Sequence, residues 1–514
     1  MQIRANMRAG VIDIGSNSIK LLIGEKTEKG INILESLKNI VPIGKSTFFE
    51  GQIAQEDINQ IVGIMGKYKT RLKEYDVTNI KIIATTAVRE AGNREIFLDT
   101  LRRKTGLAIE VLSVGDVIYY IDAYISHKLK DSYPIHSKNL IIAEIGAGSL
   151  DISVMRKGFT VMNLGLPLGT LRLKQLMAKL DGSQEETLDA LQEHIESEIL
   201  YFKKLLPKIQ IDDIILIDEN YTYLQNILPD KKKESDFFQL TLEDSKNLVK
   251  ELSNRTIEEI VRTYKIPREV AETLGAYTTM LNMFFTLTEN KYIYILEASL
   301  SGAILANILF NLELSEKYNK KNQLISMAKF FCQKFDADLD HVQHVTNLAE
   351  ILFNHFRELL GLQETELLYL ILAGYLHDIG IFINNRSHHK HSEYIINALN
   401  LFQLTEEEIK IIACVGRYHR RGGPQKSHFI YNSLAAEEKI LVQKLSALLR
   451  IANALDRSHK QKIKNIEVRF NKAQDITLVI ESKDNCLLEK ADFGDKKELF
   501  EEVTGSKINI AFKS

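Results

Sequence analysis

The chain has 514 residues and a net charge of -2, with 45% hydrophobic and 26% charged side chains. That length exceeds one core and predicts roughly three or four domains, while the charge balance excludes a whole-molecule field for nucleic acid. Three widely spaced cysteines exclude a disulfide framework, and the apolar runs are too short to span a bilayer, so a reduced, cytoplasmic, non-membrane protein is expected.

Up to about residue 312, short β-branched runs alternate with helical patterns: GVIDIG, INILES, IKIIATT, AIEVLS, NLIIAEIG, DISVM and DIILID. This alternation predicts a layered α/β architecture. Residues 10–24 and 140–155 share one plan, a buried strand ending in a carboxylate, then Ile-Gly-x-x-Ser, then another strand. The repeat predicts two related lobes, placed at 1–128 and 129–312.

In the first repeat, Asp13 ends a strand and Gly15 permits a tight turn. Ser16, Asn17 and Ser18 supply donors for phosphate oxygens, and Asp13 suits a hard cation such as Mg²⁺. A plain hairpin turn uses the same residue types. In the second repeat, Glu144 takes the acid position, followed by Gly146, Gly148 and Ser149. Between them, ATTAVREAGN (84–93) leaves a strand and enters a helix, with Arg89 suited to a bidentate phosphate contact.

The motifs VIDIGSNSIKLLI, ATTAVREAGN and LPLGTLRL (166–173) resemble the exopolyphosphatase and guanosine-pentaphosphate phosphohydrolase (Ppx/GppA) family. The resemblance implies two actin-like, ribonuclease H-like lobes around a phosphate-binding cleft. Asp13 and Glu144 would hold Mg²⁺, and Ser16, Asn17, Ser18, Arg89, Gly146, Gly148 and Ser149 would grip phosphate. The implied reaction is water attack on a terminal phosphoanhydride of inorganic polyphosphate or pppGpp, by a cytoplasmic homodimer. The family's Gly-x-Glu-Glu-Ala segment reads Ser113–Tyr119 here, where Asp116 is the only acid and the expected base. Asp151 replaces the family's trailing glutamate in the second loop. A non-hydrolysing sensor of polyphosphate or guanosine tetraphosphate is the alternative that the missing glutamate favours.

A linker is expected at 314–323. Residues 324–460 carry apolar positions at helical spacing, and strand patterns return in a small α+β segment at 461–514. Ten of the 13 histidines fall at or after position 341. His377-Asp378 lies inside an apolar helix, where a buried imidazole and carboxylate need partners or a divalent transition metal. With His341 upstream, this resembles the HD phosphohydrolase superfamily and implies an all-α HD-like domain with His341, His377 and Asp378 as metal ligands. The usual late aspartate position is Asn453; Asp456 lies three residues on, and His388, His391 and His419 fall where some HD enzymes place further ligands. This supports a third reading, a metal-dependent nucleotide phosphohydrolase. Arg417, Arg420, Arg421 and Arg450 begin a basic run suited to guiding a polyphosphate chain.

Overall fold

A computed structural model describes residues 7–513 apart from 29, 219–220, 230–236, 313–318, 400, 421, 472–474 and 483. Half of the expected linker, and Arg421, therefore lie outside the described residues; from Lys320 the linker's end is already helical. The chain divides into two units, one up to residue 320 and one from residue 321.

The first unit contains two sheets. β1 (Arg8–Ile14), β2 (Ser18–Thr27), β3 (Gly30–Ile40), β4 (Asn79–Ala84) and β5 (Glu110–Val111) form one, in the order β3-β2-β1-β4-β5. β6 (Asn139–Ile145), β7 (Leu150–Arg156), β8 (Phe159–Leu166), β9 (Asp213–Ile217), β10 (Phe237–Thr241) and β11 (Tyr292–Leu296) form the other, ordered β10-β11-β9-β6-β7-β8. β1 and β6 occupy the same place: each pairs antiparallel with the next strand and parallel with a later one. Both strands are central, which is why AGVI and LIIA, just before their acids, read as unbroken apolar runs. The helix Leu300–Phe310 packs on β1 and β2, so the chain returns from the second sheet to the first. Helix Gln55–Glu74 buries Ile58, Ile61, Met65, Tyr68 and Leu72 at three- and four-residue spacing against the first sheet.

The second unit is mainly helical over residues 320–454, including Leu339–Leu360, Glu366–Leu376, His388–Ala398, Glu406–Arg417 and Ala436–Ala454. β12 (Ile466–Phe470), β13 (Ile476–Glu481) and β14 (Ile508–Lys513) form a three-stranded sheet. Helices Leu487–Lys496 and Glu498–Thr504 pack on Ala436–Ala454, and Phe500 meets Phe356 edge-to-face at 4.9 Å. Residues from 461 onward thus share one packing unit with the helices before them.

Candidate functional sites

The cleft of the first unit is built by two copies of one turn. After β1, the Gly15 N–H donates to Ser18 O at 3.0 Å; after β6, the Gly146 N–H donates to Ser149 O at 2.9 Å. Each turn follows a strand that ends in an acid, Asp13 or Glu144. Asp13, Ser16, Asn17, Ser18, Glu144, Gly146, Gly148 and Ser149 all line the same cleft. Ser301, at the start of helix Leu300–Phe310, donates to Asp13 Oδ2 at 2.9 Å. Thr86 and Ser149 bridge the loops with a 2.9 Å hydroxyl hydrogen bond.

The segment 166–173 braces the second loop. Thr170 N–H donates to Gly146 O, and Leu171 N–H donates to Ala147 O, both at 3.0 Å. Arg172 Nε reaches Gly148 O at 3.0 Å. Gly169 lies so close that a Cβ there would collide with the backbone of Ala147 and Gly148.

Two expected residues lie elsewhere. Arg89 sits behind the cleft surface: its Nη1 donates to Leu112 O at 2.6 Å and its Nη2 to Thr86 Oγ1 at 3.2 Å. It therefore holds the Thr86–Ser149 bridge. Asp116 is outside the cleft lining. Its Oδ2 accepts from Ser113 N at 3.0 Å and Ser113 Oγ at 2.8 Å, a capping box opening helix Val114–Lys128. The expectation of Asp116 as base conflicts with this engagement. Asp122 is fully buried and accepts from Ser153 and Thr160.

Asp151, unlike Asp116, is among the acids that line the cleft. It is the cross-strand partner of Glu144 in the β6–β7 ladder, so two carboxylates stand directly opposite each other. Like charges placed this way are destabilising, which marks the pair as a cost that structure alone does not require. Burial raises the Asp151 carboxyl to about 6, against the opposing pull of Arg89 and Ser149. Its Oδ1 has no hydrogen-bond partner among the described residues. Lys20 and Lys38 are the cleft's lysines, set against the acids Asp13, Glu144, Asp151, Asp218 and Glu269. This donor set fits a hard, oxygen-liganded cation at Asp13 and Glu144, because a polyanion would otherwise meet mostly carboxylates.

The second unit gathers five expected residues in one buried cluster. His341, His377 and Asp378 form one candidate metal group; Asp378, His388 and His419 form another. His341 comes from helix Leu339–Leu360, and His377 caps helix Glu366–Leu376. Gly380 lets helix His388–Ala398 approach: a Cβ there would strike His388 O and Ser392. Ser392 Oγ then donates to His377 O at 2.6 Å, docking the helix that carries His388. Asp456 is not a second carboxylate in either group. It lies behind His341, accepting from Nδ1 at 2.8 Å, while Gln461 N–H holds its Oδ1. Burial pushes His377 down to about 4 and His419 well below its ordinary range, leaving neutral imidazoles that suit metal ligation. His391 belongs to neither group, and His459 stacks on His341 with ring centres 3.6 Å apart.

Residues 11–324 match the Ppx/GppA phosphatase family, and residues 325–498 match its domain III, where the sequence had suggested an HD-like domain. A guanosine-5'-triphosphate,3'-diphosphate pyrophosphatase of Pseudoalteromonas translucida is 23% identical over 456 residues, covering 86% of each chain. Exopolyphosphatase 1 of Mycobacterium leprae is 27% identical over 195 residues, 38% of this chain and 56% of that one. In fold, the Aquifex aeolicus Ppx/GppA family member superposes with TM-score 0.51 at 22% identity, over 60% of this chain and 99% of that one. An exopolyphosphatase from Cytophaga hutchinsonii gives 0.52 at 20% identity, over 59% and 98%. No described helix is long and apolar enough to cross a membrane. The paired strand-turn-strand loops, the shared sheet order and the match over well over half the chain agree: this chain belongs to the Ppx/GppA phosphatase family.

Proposed function

We propose that the first unit hydrolyses terminal phosphoanhydrides, releasing orthophosphate from inorganic polyphosphate or from the 5' end of pppGpp. The observation that carries this reading is the pair of Gly-x-x-Ser turns lining one cleft, each behind a strand-end carboxylate, with the buried acid Asp151 in the same lining. The names of the relatives supply the two substrate classes.

In this reading the backbone and hydroxyl donors of Ser16, Asn17, Ser18, Gly148 and Ser149 hold phosphate oxygens. Asp13 and Glu144 would hold Mg²⁺, which supplies charge neutralisation for the transferred phosphoryl group. Asp151 takes the proton of the attacking water, the role sequence reading gave to Asp116. A carboxyl near 6 is ionised at neutral pH yet basic enough for proton transfer. Arg89 acts by positioning Thr86 and, through it, Ser149.

Orthophosphate release from long-chain polyphosphate and from pppGpp, with Mg²⁺, tests the proposal on wild type, Asp13→Asn, Glu144→Gln and Asp151→Asn. Release lost in all three variants supports it. Substrate binding without release by wild type would sink it and leave the sensor reading.

A second reading concerns the second unit, where four imidazoles and one carboxylate converge. There we propose an HD-like divalent transition-metal site on His341, His377 and Asp378, suited to a nucleotide phosphohydrolase. A cytoplasmic homodimer remains what the family resemblance and the cysteine usage support.

A further inference from the structure

We propose that Arg172 is a positioning residue that latches the two halves of the cleft together, holding its two Gly-x-x-Ser turns at one spacing before substrate arrives. The proposal rests on the cleft being the phosphate site, and it adds the element that keeps the cleft closed.

The two turns belong to different sheets, Ser16 following β1 and Gly148 following β6, yet they touch. A Cβ on Gly148 would strike Ser16 Oγ, Phe48 and Thr86, all from the half built on the first sheet. No strand ladder sets that approach, because β1 and β6 pair only within their own sheets. The spacing of the turns therefore depends on contacts between loops and side chains.

Arg172 supplies three such contacts at once. It stands in the first turn of helix Thr170–Met177, in the half built on the second sheet. Its Nε donates to Gly148 O at 3.0 Å. Its Nη2 donates to Glu90 Oε2 at 2.8 Å, at the end of helix Thr86–Glu90 in the opposite half. Its guanidinium lies over the ring of Phe48, 3.9 Å from the centre, on helix Ile43–Glu50 of that same half. A planar fork with a flat face can meet all three partners, whereas a lysine ammonium can meet one. The helix itself gives no reason for the residue, since its dipole disfavours a cation in the first turn. Helix Thr86–Glu90 is thus gripped at both ends, Thr86 by Ser149 and Glu90 by Arg172. Gln175 extends the seam by donating to Lys45 O at 3.1 Å.

The competing account is that Arg172 only braces the second loop through Gly148. The Glu90 contact would then be a surface ion pair, with side chains 24% and 45% exposed, and such pairs contribute little. Kinetics separate the two accounts. Losing a brace distorts the loop and lowers kcat. Losing a latch lowers the fraction of chains whose cleft is already closed, so KM rises in proportion while kcat survives at saturation.

The test places spin labels on the full chain at Lys67→Cys and Ser197→Cys, exposed positions on helices Gln55–Glu74 and Gln184–Leu205, one in each half. The native cysteines are buried. Double electron–electron resonance without ligand should give one narrow separation, joined by a second, longer one in Arg172→Lys and in Glu90→Gln. Orthophosphate release from polyphosphate is measured with Mg²⁺ well above pH 6, where Asp151 is ionised. KM should rise at least about tenfold in Arg172→Lys and about threefold in Glu90→Gln, with kcat within about twofold of wild type. Unchanged separations, or a fallen kcat at unchanged KM, would overturn the latch. If wild type releases no orthophosphate, the hydrolysis reading falls and the separations alone decide the latch. Glu90→Gln changes a half-exposed carboxylate and decides the matter even where Arg172→Lys fails to fold.

Discussion

His341 and Asp456 form a buried pair in which Nδ1 donates to Oδ2 at 2.8 Å, and each side chain is 1% exposed. Asp456 does to His341 what backbone carbonyls do to His377, His388 and His419: it fixes the tautomer and aims Nε2 at Asp378. A carboxylate behind a ligating histidine also raises its basicity. Asp456→Ala is therefore expected to weaken Mn²⁺ binding by about 10- to 100-fold while Asp456→Asn, which still accepts the hydrogen bond, loses less. Equal affinity in wild type and Asp456→Ala, read by equilibrium dialysis, would remove Asp456 from this role.

Much of this site was legible because chemistry-bearing residues interrupted apolar patterns. Asp13 and Glu144 stood out as acids ending buried strands, and the repeated Ile-Gly-x-x-Ser placed both turns in one cleft. His377-Asp378 stood out inside an apolar helix. Side-chain direction was not legible. Asp116 and Asp151 are both single acids near a motif, but Asp116 turns back to cap its own helix, whereas Asp151 faces the cleft. Asp456 looked like a displaced metal ligand because the sequence holds its spacing from Asn453 but not the distance to His341. Gly380 and Gly169 carried a signal that was available, glycines beside functional segments, but a close approach depends on a partner distant in sequence.

Gly169 is expected to be intolerant of any side chain. A Cβ would meet the backbone of Ala147 and Gly148, which cannot swing aside as a flexible side chain would. The displaced loop carries Ser149 and Gly146, so the error passes directly to the phosphate-binding turn. A shift of about 1 Å there costs on the order of 100-fold in rate. Gly169→Ala should lose orthophosphate release to that extent, measured beside circular dichroism to show that the fold survives. Near-wild-type release would mean that the bracing segment is not needed for turnover.

Asp122 is expected to matter for stability. Its two oxygens accept from Ser153 Oγ at 2.8 Å and Thr160 Oγ1 at 2.7 Å, joining helix Val114–Lys128 to β7 and β8 with no exposure. Asp122→Ala removes both acceptors and leaves buried hydroxyls to be satisfied, a loss of about 2–5 kcal/mol. Asp122→Asn keeps one acceptor and should lose less. Urea unfolding followed by circular dichroism reads both. If Asp122→Ala unfolds at the wild-type midpoint, the tie contributes nothing to stability.

Asp151 links activity to an opposite effect on stability. Its folded-state carboxyl titrates near 6, raised by burial from an ordinary value of 3.8. Between those values the folded chain holds a proton that the unfolded chain has released. Stability therefore falls as pH rises through this window, and the loss is complete above about 6. A shift of roughly two pH units corresponds to on the order of 3 kcal/mol. Asp151→Asn removes that loss, since its amide does not ionise. With chelator present to exclude cations, the variant's melting temperature should gain on wild type as pH is raised from 4 to 7. With Mg²⁺ and polyphosphate, the same variant should turn over at least about 100-fold more slowly, as expected for a lost general base. A melting-temperature difference that stays constant across that pH range would show that Asp151 does not titrate there. Slow turnover would then have to be assigned to lost positioning rather than to a lost proton acceptor.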